Sequence, residues 1–299
     1  MALRTAGRLN PSHLNRVMAA DTPAHERWTE DLPAQARLAL AVGRTLCACE
    51  GHYHALWGSL RAADVANSLK REEPRLASLI APFVREDAKV MIGGSADPGV
   101  LCAIGRIYAP KMPAITVMDR CKAPLELIRA FTAAKGLACR TVDFDLLDLD
   151  GSEQWDQIVL HYTPDFLAPQ IHVRLFRSLA QSLAPEGALI FAAMTGVQVS
   201  GDHLQTLGSV YFDYGLKAIR NSELADLAED PEFLDMLKSY AARWGLRRMN
   251  LPTIEQLRDS VHSAGLRIVD EHSSPRRHRV VEGATLVDST SIIVAGHPI

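Results

Sequence analysis

Between Lys89 and Met194, apolar runs of strand length alternate with amphipathic segments of helix length, and this alternation constrains the fold more than any other feature of the chain. The runs at 90–92, 115–118, 158–160 and 188–193 are short and apolar throughout, as strands buried on both faces are. Between them, 99–108, 124–135 and 165–183 carry helical patterning. The second of these has Pro124 in its first turn and Gly136 just past its end, matching the usual start and stop signals. In the third, Leu167, Ile171, Leu175, Leu179 and Leu183 recur every fourth residue, a stripe able to cover a sheet. Strands and helices of these lengths in alternation imply βαβ crossovers, hence an α/β fold with a doubly wound, mostly parallel sheet.

The flanks differ. Residues 1–87 contain helical patterns at 37–49, 56–69 (Leu56, Leu60, Val65, Leu69) and 76–84 after Pro74, and are expected to form a helical N-terminal cap. Beyond Met194 a polar and aromatic stretch runs to about Asn250, with a helix expected over 222–244. Thr253 and Gln256 then form a capping box that opens a helix to His262, closed by Gly265, and strands are expected at 266–269 and 290–295.

Composition excludes several classes. With 47% hydrophobic residues among 299, the chain has ample material for a core and is not intrinsically disordered. Its 32 Lys+Arg and 35 Asp+Glu give a net charge of −3, without the basic surplus that nucleic-acid binding draws on. No apolar run reaches the roughly 18–20 residues that span a bilayer. Five dispersed cysteines, an odd number, read as thiols of a reducing compartment. Arg4, Arg8 and Arg16 without an acid faintly resemble an organelle presequence, yet no apolar core of a secretory signal accompanies them, and a cytoplasmic protein is expected.

The most informative stretch is KVMIGGSADPG at 89–99: an apolar strand, a turn of small residues, then Pro98 where a helix begins. Small residues let a ligand approach the backbone, and the helix start offers unpaired N–H groups. The next strand ends in Asp119, placed to accept hydrogen bonds from a ribose. An adenosine-type ligand follows. Gly94, Ala96 and Gly99 loosely satisfy a dinucleotide fingerprint, but Asp97 opposes it. Two like charges about 4 Å apart repel by roughly 1–4 kcal/mol, so a carboxylate here disfavours a pyrophosphate and favours a cationic sulfonium. Asp97 could also simply cap the helix.

These residues resemble the class I S-adenosylmethionine-dependent methyltransferases. Residues 90–99 are similar to the glycine-rich first motif, and Asp119 to the ribose-binding acid. TVDFDLLD at 141–148 resembles the adenine segment, with Asp145 at the amino group and Leu146 beside the ring. WDQIVLHY at 155–162 resembles the fourth strand and the lining of the methionine end, LAPEGALI at 183–190 the fifth strand, and AGLRIV at 264–269 the start of the sixth. Ile92 stands where many members carry an acid, and Ala96 where glycine is common. The resemblance implies a seven-stranded sheet with the last strand antiparallel, in a domain over 88–299. The cap over 1–87 and a helical insertion over 195–250 would cover the substrate. It implies S-adenosylmethionine as cofactor, held by Gly93, Gly94, Ser95, Ala96, Asp97, Asp119, Arg120, Asp145, Leu146 and His161.

The reaction so implied is methyl transfer to oxygen, nitrogen or sulfur of a small molecule. It needs positioning and exclusion of water, and a base only if the acceptor carries a proton. His161 and Tyr162, ending the fourth strand, are the catalytic candidates, alongside a purely structural role for the histidine. Tyr211, Asp213 and Tyr214 suggest an aromatic substrate pocket or an ordinary amphipathic helix, and Tyr53 with Trp57 a core stripe or a lid. Glu50, His52 and His54 invite a metal reading, but side chains two apart on a helix diverge, and no metal is expected. Cys121, opening a helix, reads as a small buried residue or a dipole-stabilised thiolate. RRHR at 276–279 reads as a solvated loop, in preference to a cluster that steers an anionic acceptor. The expected partner is a small methyl acceptor, with no nucleic acid or membrane; a homodimer is compatible with the sequence. A nicotinamide-dependent oxidoreductase and a catalytically inactive cofactor-binding protein are the competing classes.

Overall fold

Alternate residues of the central strands bury on opposite sides of one sheet. Val90 and Ile92 enter one core while Met91 enters the other, and Ile190 and Phe191 divide in the same way. A computed structural model describes residues 26–49, 52–66, 68–109, 111–196, 204–249, 251–281 and 284–298. The arginines of the presequence reading, Glu50, and part of the 195–250 insertion lie outside the described residues.

The strands are β1 (Lys89–Gly93), β2 (Ala114–Asp119), β3 (Arg140–Asp143), β4 (Trp155–His161), β5 (Leu183–Gly196), β6 (Arg267–Val281) and β7 (Ala284–Gly296). They form one seven-stranded sheet in the order β3-β2-β1-β4-β5-β7-β6, with β7 antiparallel to both neighbours and the other pairings parallel. The sheet direction of chain growth reverses between β1 and β4, where doubly wound folds open a ligand crevice at the carboxyl edge.

On one face pack α3 (Ser68–Ile80), α4 (Gly99–Tyr108) and α5 (Lys122–Lys135), burying Leu76, Ile80, Leu101, Ile104, Leu125 and Ile128. On the other pack α6 (His172–Gln181) and α9 (Ile254–Ser263), through Leu175, Leu179, Leu257 and Val261. The capping box of α9 is formed in both directions, Gln256 N–H to Thr253 Oγ1 at 3.2 Å and Thr253 N–H to Gln256 Oε1 at 2.9 Å. Gly136 ends α5 at φ +60°, a conformation open to glycine.

A further helical layer joins both flanks: α1 (Leu32–Leu46) and α2 (Tyr53–Ala62) with α7 (Leu204–Arg220) and α8 (Pro231–Met249). Leu40, Leu56, Leu60, Ile219, Phe233 and Leu237 are its core, and Ala96 of the turn after β1 packs against it. Tight approach of α1 and α2 depends on glycine: a Cβ on Gly43 would lie 2.4 Å from the Ala55 Cα, and one on Gly58 3.1 Å from the Ala36 Cα.

Several elements depart from expectation. The helix expected over 56–69 divides, because α2 stops at Ala62 and Asp64 turns at φ +58°. Helix α3 runs through Pro74 instead of starting after it; Pro74 and Lys70, whose carbonyl loses its helical donor, both lie on the exposed face. Since α3 contributes Leu69, Leu76 and Ile80 to the sheet core, the 1–87 segment is more than a cover. Helix α6 begins only at His172, because two 3-10 turns, Thr163–Phe166 and Pro169–Ile171, occupy the proline-containing start of the expected helix. The insertion holds α7 as well as a helix near 222–244; α8 begins at Pro231, after the 3-10 turn Ala225–Glu229. Strands β6 and β7 form a hairpin far longer than expected, and residues 276–279 sit within β6, paired with 285–288, not in a loop. Among the described residues no helix is long and apolar enough to cross a membrane.

Gly105 on α4 faces Trp28, which is 2% exposed, and a Cβ there would lie 2.2 Å from the indole. Gly105→Ala is therefore expected to destabilise the fold by about 1–3 kcal/mol through overpacking, despite alanine's better helix propensity. Urea denaturation followed by circular dichroism measures it; a stabilised variant would contradict the contact.

Candidate active site

The carboxyl ends of β1, β2, β3 and β4 bring the sequence-predicted residues to one edge. At the end of β1, Gly93 and Gly94 leave the strand, and Gly94 adopts φ +69° while its N–H donates to the Met118 carbonyl at 2.8 Å. Thr163, from the turn after β4, donates its hydroxyl to the Gly93 carbonyl at 2.7 Å. A Cβ on Gly94 would lie 2.5 Å from Thr163 at a positive φ that favours glycine, whereas one on Gly93 would lie 2.8 Å from Leu146 and push leucine side chains aside. Leu146 itself is buried in the sheet core against Gly93, and Asp145 caps the 3-10 turn Leu146–Asp148 by accepting from Leu147 N–H at 3.0 Å. Ser95 is buried and donates to the Asp97 carbonyl at 2.8 Å.

Asp97 does cap α4, its Oδ1 accepting from Gly99 N–H at 2.8 Å. Its Oδ2 accepts from Arg61 Nη1 at 2.7 Å, and the same guanidinium holds Glu30 through two contacts of 2.9 Å. The capping reading of Asp97 is thus seen directly, and the sequence did not foresee its pairing with a cation delivered by α2. The buried group of Glu30, Arg61 and Asp97 still carries two carboxylates against one guanidinium, a net negative charge.

Asp119, ending β2, is buried, and its Oδ1 accepts from Cys121 N–H at 2.7 Å. Among the described residues Oδ2 accepts no protein hydrogen bond, which fits a carboxylate kept for ribose hydroxyls. Burial pushes its carboxyl up to about 6, against the opposing pull of His54 and the Cys121 N–H. Arg120 beside it is exposed.

His161 and Tyr162 are together at the end of β4, their rings 4.6 Å apart edge-on. Both reach Glu72 on α3: His161 Nε2 lies 3.1 Å from Oε2, and the Tyr162 hydroxyl donates to Oε1. That hydroxyl also lies 3.0 Å from Thr290 Oγ1. Tyr162 has φ +62°, a strained conformation for a bulky residue and one that clusters at functional sites. A carboxylate at Nε2 favours the tautomer protonated there and leaves Nδ1 as the basic atom of the ring.

Tyr211 and Tyr214 are not brought together. Tyr211 stacks on Trp244 at 4.4 Å within the helical layer, whereas Tyr214 is 56% exposed on α7, since a three-residue step carries it off the packed stripe. Tyr53 is the ring that links this layer to the sheet edge, with Phe166 of the turn after β4 at 4.9 Å and Tyr240 at 5.9 Å.

A second group lies beside Asp119. Cys47, Cys49, His54 and Cys121 place their ligating atoms within 4.8 Å of one another. Hydrogen bonding from Cys121 and then Cys49 pulls the Cys47 thiol down from its ordinary range. His52 is exposed, apart from this group.

No protein-family model matches the chain. A solved structure from Bacillus halodurans C-125, described as a candidate methyltransferase, superposes with a TM-score of 0.50 over 78% of this chain and all (100%) of that one, at 11% identity. The likeness is one of fold, and this chain's own sheet has β7 reversed between β5 and β6. The chain has the class I methyltransferase fold. An S-adenosylmethionine-dependent methyltransferase from Clostridium acetobutylicum ATCC 824 gives a TM-score of 0.48 at 12% identity, covering 81% of this chain and 96% of that one. In sequence, the chain is 30% identical over 113 residues to carboxy-S-adenosyl-L-methionine synthase of Wolinella succinogenes, which is 38% of this chain and 47% of the relative, so it matches about half of that protein's length.

On this methyltransferase fold, sequence reasoning missed Glu30, Arg61, Glu72 and Thr163, whose partners are distant in the chain and carry no local motif. It also divided the cysteine–histidine group, although Cys47, Cys49 and His54 fall within one short stretch.

Proposed function

We propose that this protein is an S-adenosylmethionine-dependent methyltransferase acting on oxygen, nitrogen or sulfur of a small molecule. The observation that carries the reading is Asp119: a buried carboxylate at the end of β2, one oxygen uncommitted, beside a turn of small residues that holds Gly94 at φ +69°. The net negative charge of Glu30, Arg61 and Asp97 favours a sulfonium over a diphosphate, and the name of the Wolinella relative supports the same cofactor. Bound there, S-adenosylmethionine supplies an electrophilic methyl group on a positive sulfur.

The chain's own residues then bind and orient. Asp119 accepts from the ribose, and Asp145 and Leu146 flank the adenine. The layer of α1, α2, α7 and α8 covers the acceptor, with Tyr53, Phe166 and Tyr240 offering an aromatic wall suited to an apolar or cationic acceptor. His161, oriented by Glu72, takes the acceptor's proton where there is one. A cytoplasmic setting and free diffusion of a small acceptor complete the reading.

Titration calorimetry with S-adenosylmethionine, S-adenosylhomocysteine and NAD(P) side by side tests it, and preference for NAD(P) overturns it. Asp119→Ala is expected to weaken S-adenosylmethionine binding by about 1–3 kcal/mol, roughly 5- to 150-fold. Unchanged affinity in a folded variant removes Asp119 from the site.

A further inference from the structure

The structure assigns a second site to the group beside Asp119: we propose that Cys47, Cys49, His54 and Cys121 bind one zinc ion and pin the helical layer to the floor of the cofactor cleft. Three thiols and an imidazole are a known donor set for structural zinc, which is tetrahedral and closed. With Zn–S near 2.3 Å and Zn–N near 2.0–2.1 Å, the edges of such a tetrahedron are about 3.5–3.8 Å. The four donor atoms all lie within 4.8 Å of one another, and the Cys47 Sγ to His54 Nδ1 edge is 3.4 Å. Closing on an ion requires small side-chain rotations and no backbone rearrangement.

The backbone delivers these donors from separate elements. Cys47 is the residue just past α1, Cys49 follows it, His54 is in the first turn of α2, and Cys121 precedes the first turn of α5. The contacts of Gly43 with Ala55 and of Gly58 with Ala36 bring the end of α1 against the start of α2. Cys47, His54 and Cys121 are buried and Cys49 is half-buried, so three of the four donors are shielded from solvent. Soft thiolates select zinc over magnesium or calcium, and four protein ligands leave no open position for catalysis. The role is therefore architectural.

Location gives the site its consequence. The Cys121 N–H already holds Asp119 Oδ1 at 2.7 Å, so fixing the Cys121 sulfur also fixes the carboxylate assigned to the ribose. This coupling rests on the methyltransferase reading, whereas the metal site does not.

The test begins with the whole protein, purified without chelator and analysed by inductively coupled plasma mass spectrometry. One zinc per chain is expected, released by an organomercurial with three equivalents of thiol. Replacement by cobalt(II) should give a thiolate-to-cobalt charge-transfer band and the d–d absorption of tetrahedral cobalt. Cys49→Ala, the mildest change because Cys49 is half-buried, should reduce zinc affinity at least tenfold, and His54→Ala likewise; Cys139→Ser, outside the group, should retain full zinc. If Cys49→Ala does not fold, zinc stoichiometry and cobalt spectra of the unaltered chain decide alone. Zinc-free protein with freely titrating thiols, a disulfide within the group, or an iron–sulfur chromophore overturns the assignment. Calorimetry with S-adenosylmethionine on zinc-loaded and zinc-stripped protein reads the coupling, with weaker binding expected after stripping. Absence of zinc with intact cofactor binding would sink this site and leave the methyltransferase reading standing.

Discussion

Arg61→Ala is expected to cost about 3–5 kcal/mol of folding stability, the penalty for leaving buried carboxylates without their cation. The Arg61 side chain is 12% exposed, and those of Glu30 and Asp97 are each 9% exposed. Burial works against the guanidinium charge, and Asp97 and Glu30 together more than offset it, holding the proton more tightly than an ordinary arginine does. Once the cation is gone, Glu30 and Asp97 face each other across a poorly solvated space. Arg61→Lys should recover only part of the loss, because one ammonium cannot reproduce the two contacts to Glu30 while reaching Asp97. A triple variant, Arg61→Met with Glu30→Gln and Asp97→Asn, should be more stable than Arg61→Ala, since removing all charges together avoids the unpaired ones. Urea denaturation of the three proteins separates these cases. A loss below about 1 kcal/mol for Arg61→Ala would mean that water reaches the carboxylates. Asp97 also holds Gly99 N–H at the start of α4, so loosening this group should weaken S-adenosylmethionine binding as well.

What could be read in the sequence follows from where each interaction is encoded. Strands β1, β2, β4 and β5 were legible because both their faces are buried, which forces runs such as Val90, Met91 and Ile92 to be apolar at every step. Strand β3 is four residues at the sheet edge with exposed ends, and the outer hairpin of β6 and β7 is polar along much of its length, so hydrophobicity marks neither well. Pro74 misled because a proline on an exposed helix face loses its hydrogen bond to solvent-accessible backbone, a cost that the packing of Leu69, Leu76 and Ile80 outweighs. The same logic divides the site. Gly93, Gly94, Asp97 and Asp119 belong to a contiguous strand, turn, helix and strand, and their roles are local. Arg61 meets partners 31 and 36 residues away, and Glu72 meets His161 and Tyr162 at 89 and 90 residues, so nothing short-range announces them.

Glu72→Ala is expected to destabilise the protein by about 2–4 kcal/mol, because it removes the shared acceptor of two buried donors. The Tyr162 hydroxyl would keep Thr290 Oγ1, at 3.0 Å, while His161 Nε2 would lose the carboxylate at 3.1 Å. The functional cost should exceed the structural one. Tyr162 is held at φ +62° at the end of β4, and its anchored hydroxyl helps to keep it there; with one anchor gone the turn carrying Thr163 can relax, and Thr163 is what closes on the Gly93 carbonyl. Weaker S-adenosylmethionine binding is expected in a variant that still folds. Glu72→Gln separates the two effects. Its amide oxygen can still accept from Tyr162, so stability should remain within about 1 kcal/mol of the parent. Its NH₂ group, however, can only donate to His161, which would move the ring proton from Nε2 to Nδ1. Nitrogen-15 chemical shifts of the His161 ring should therefore report opposite tautomers in the parent and in Glu72→Gln. If His161 is the base, methyl transfer to a protonated acceptor should fall with the tautomer, while cofactor affinity stays nearly constant. Equal tautomers in the two proteins would show that Glu72 does not orient the ring.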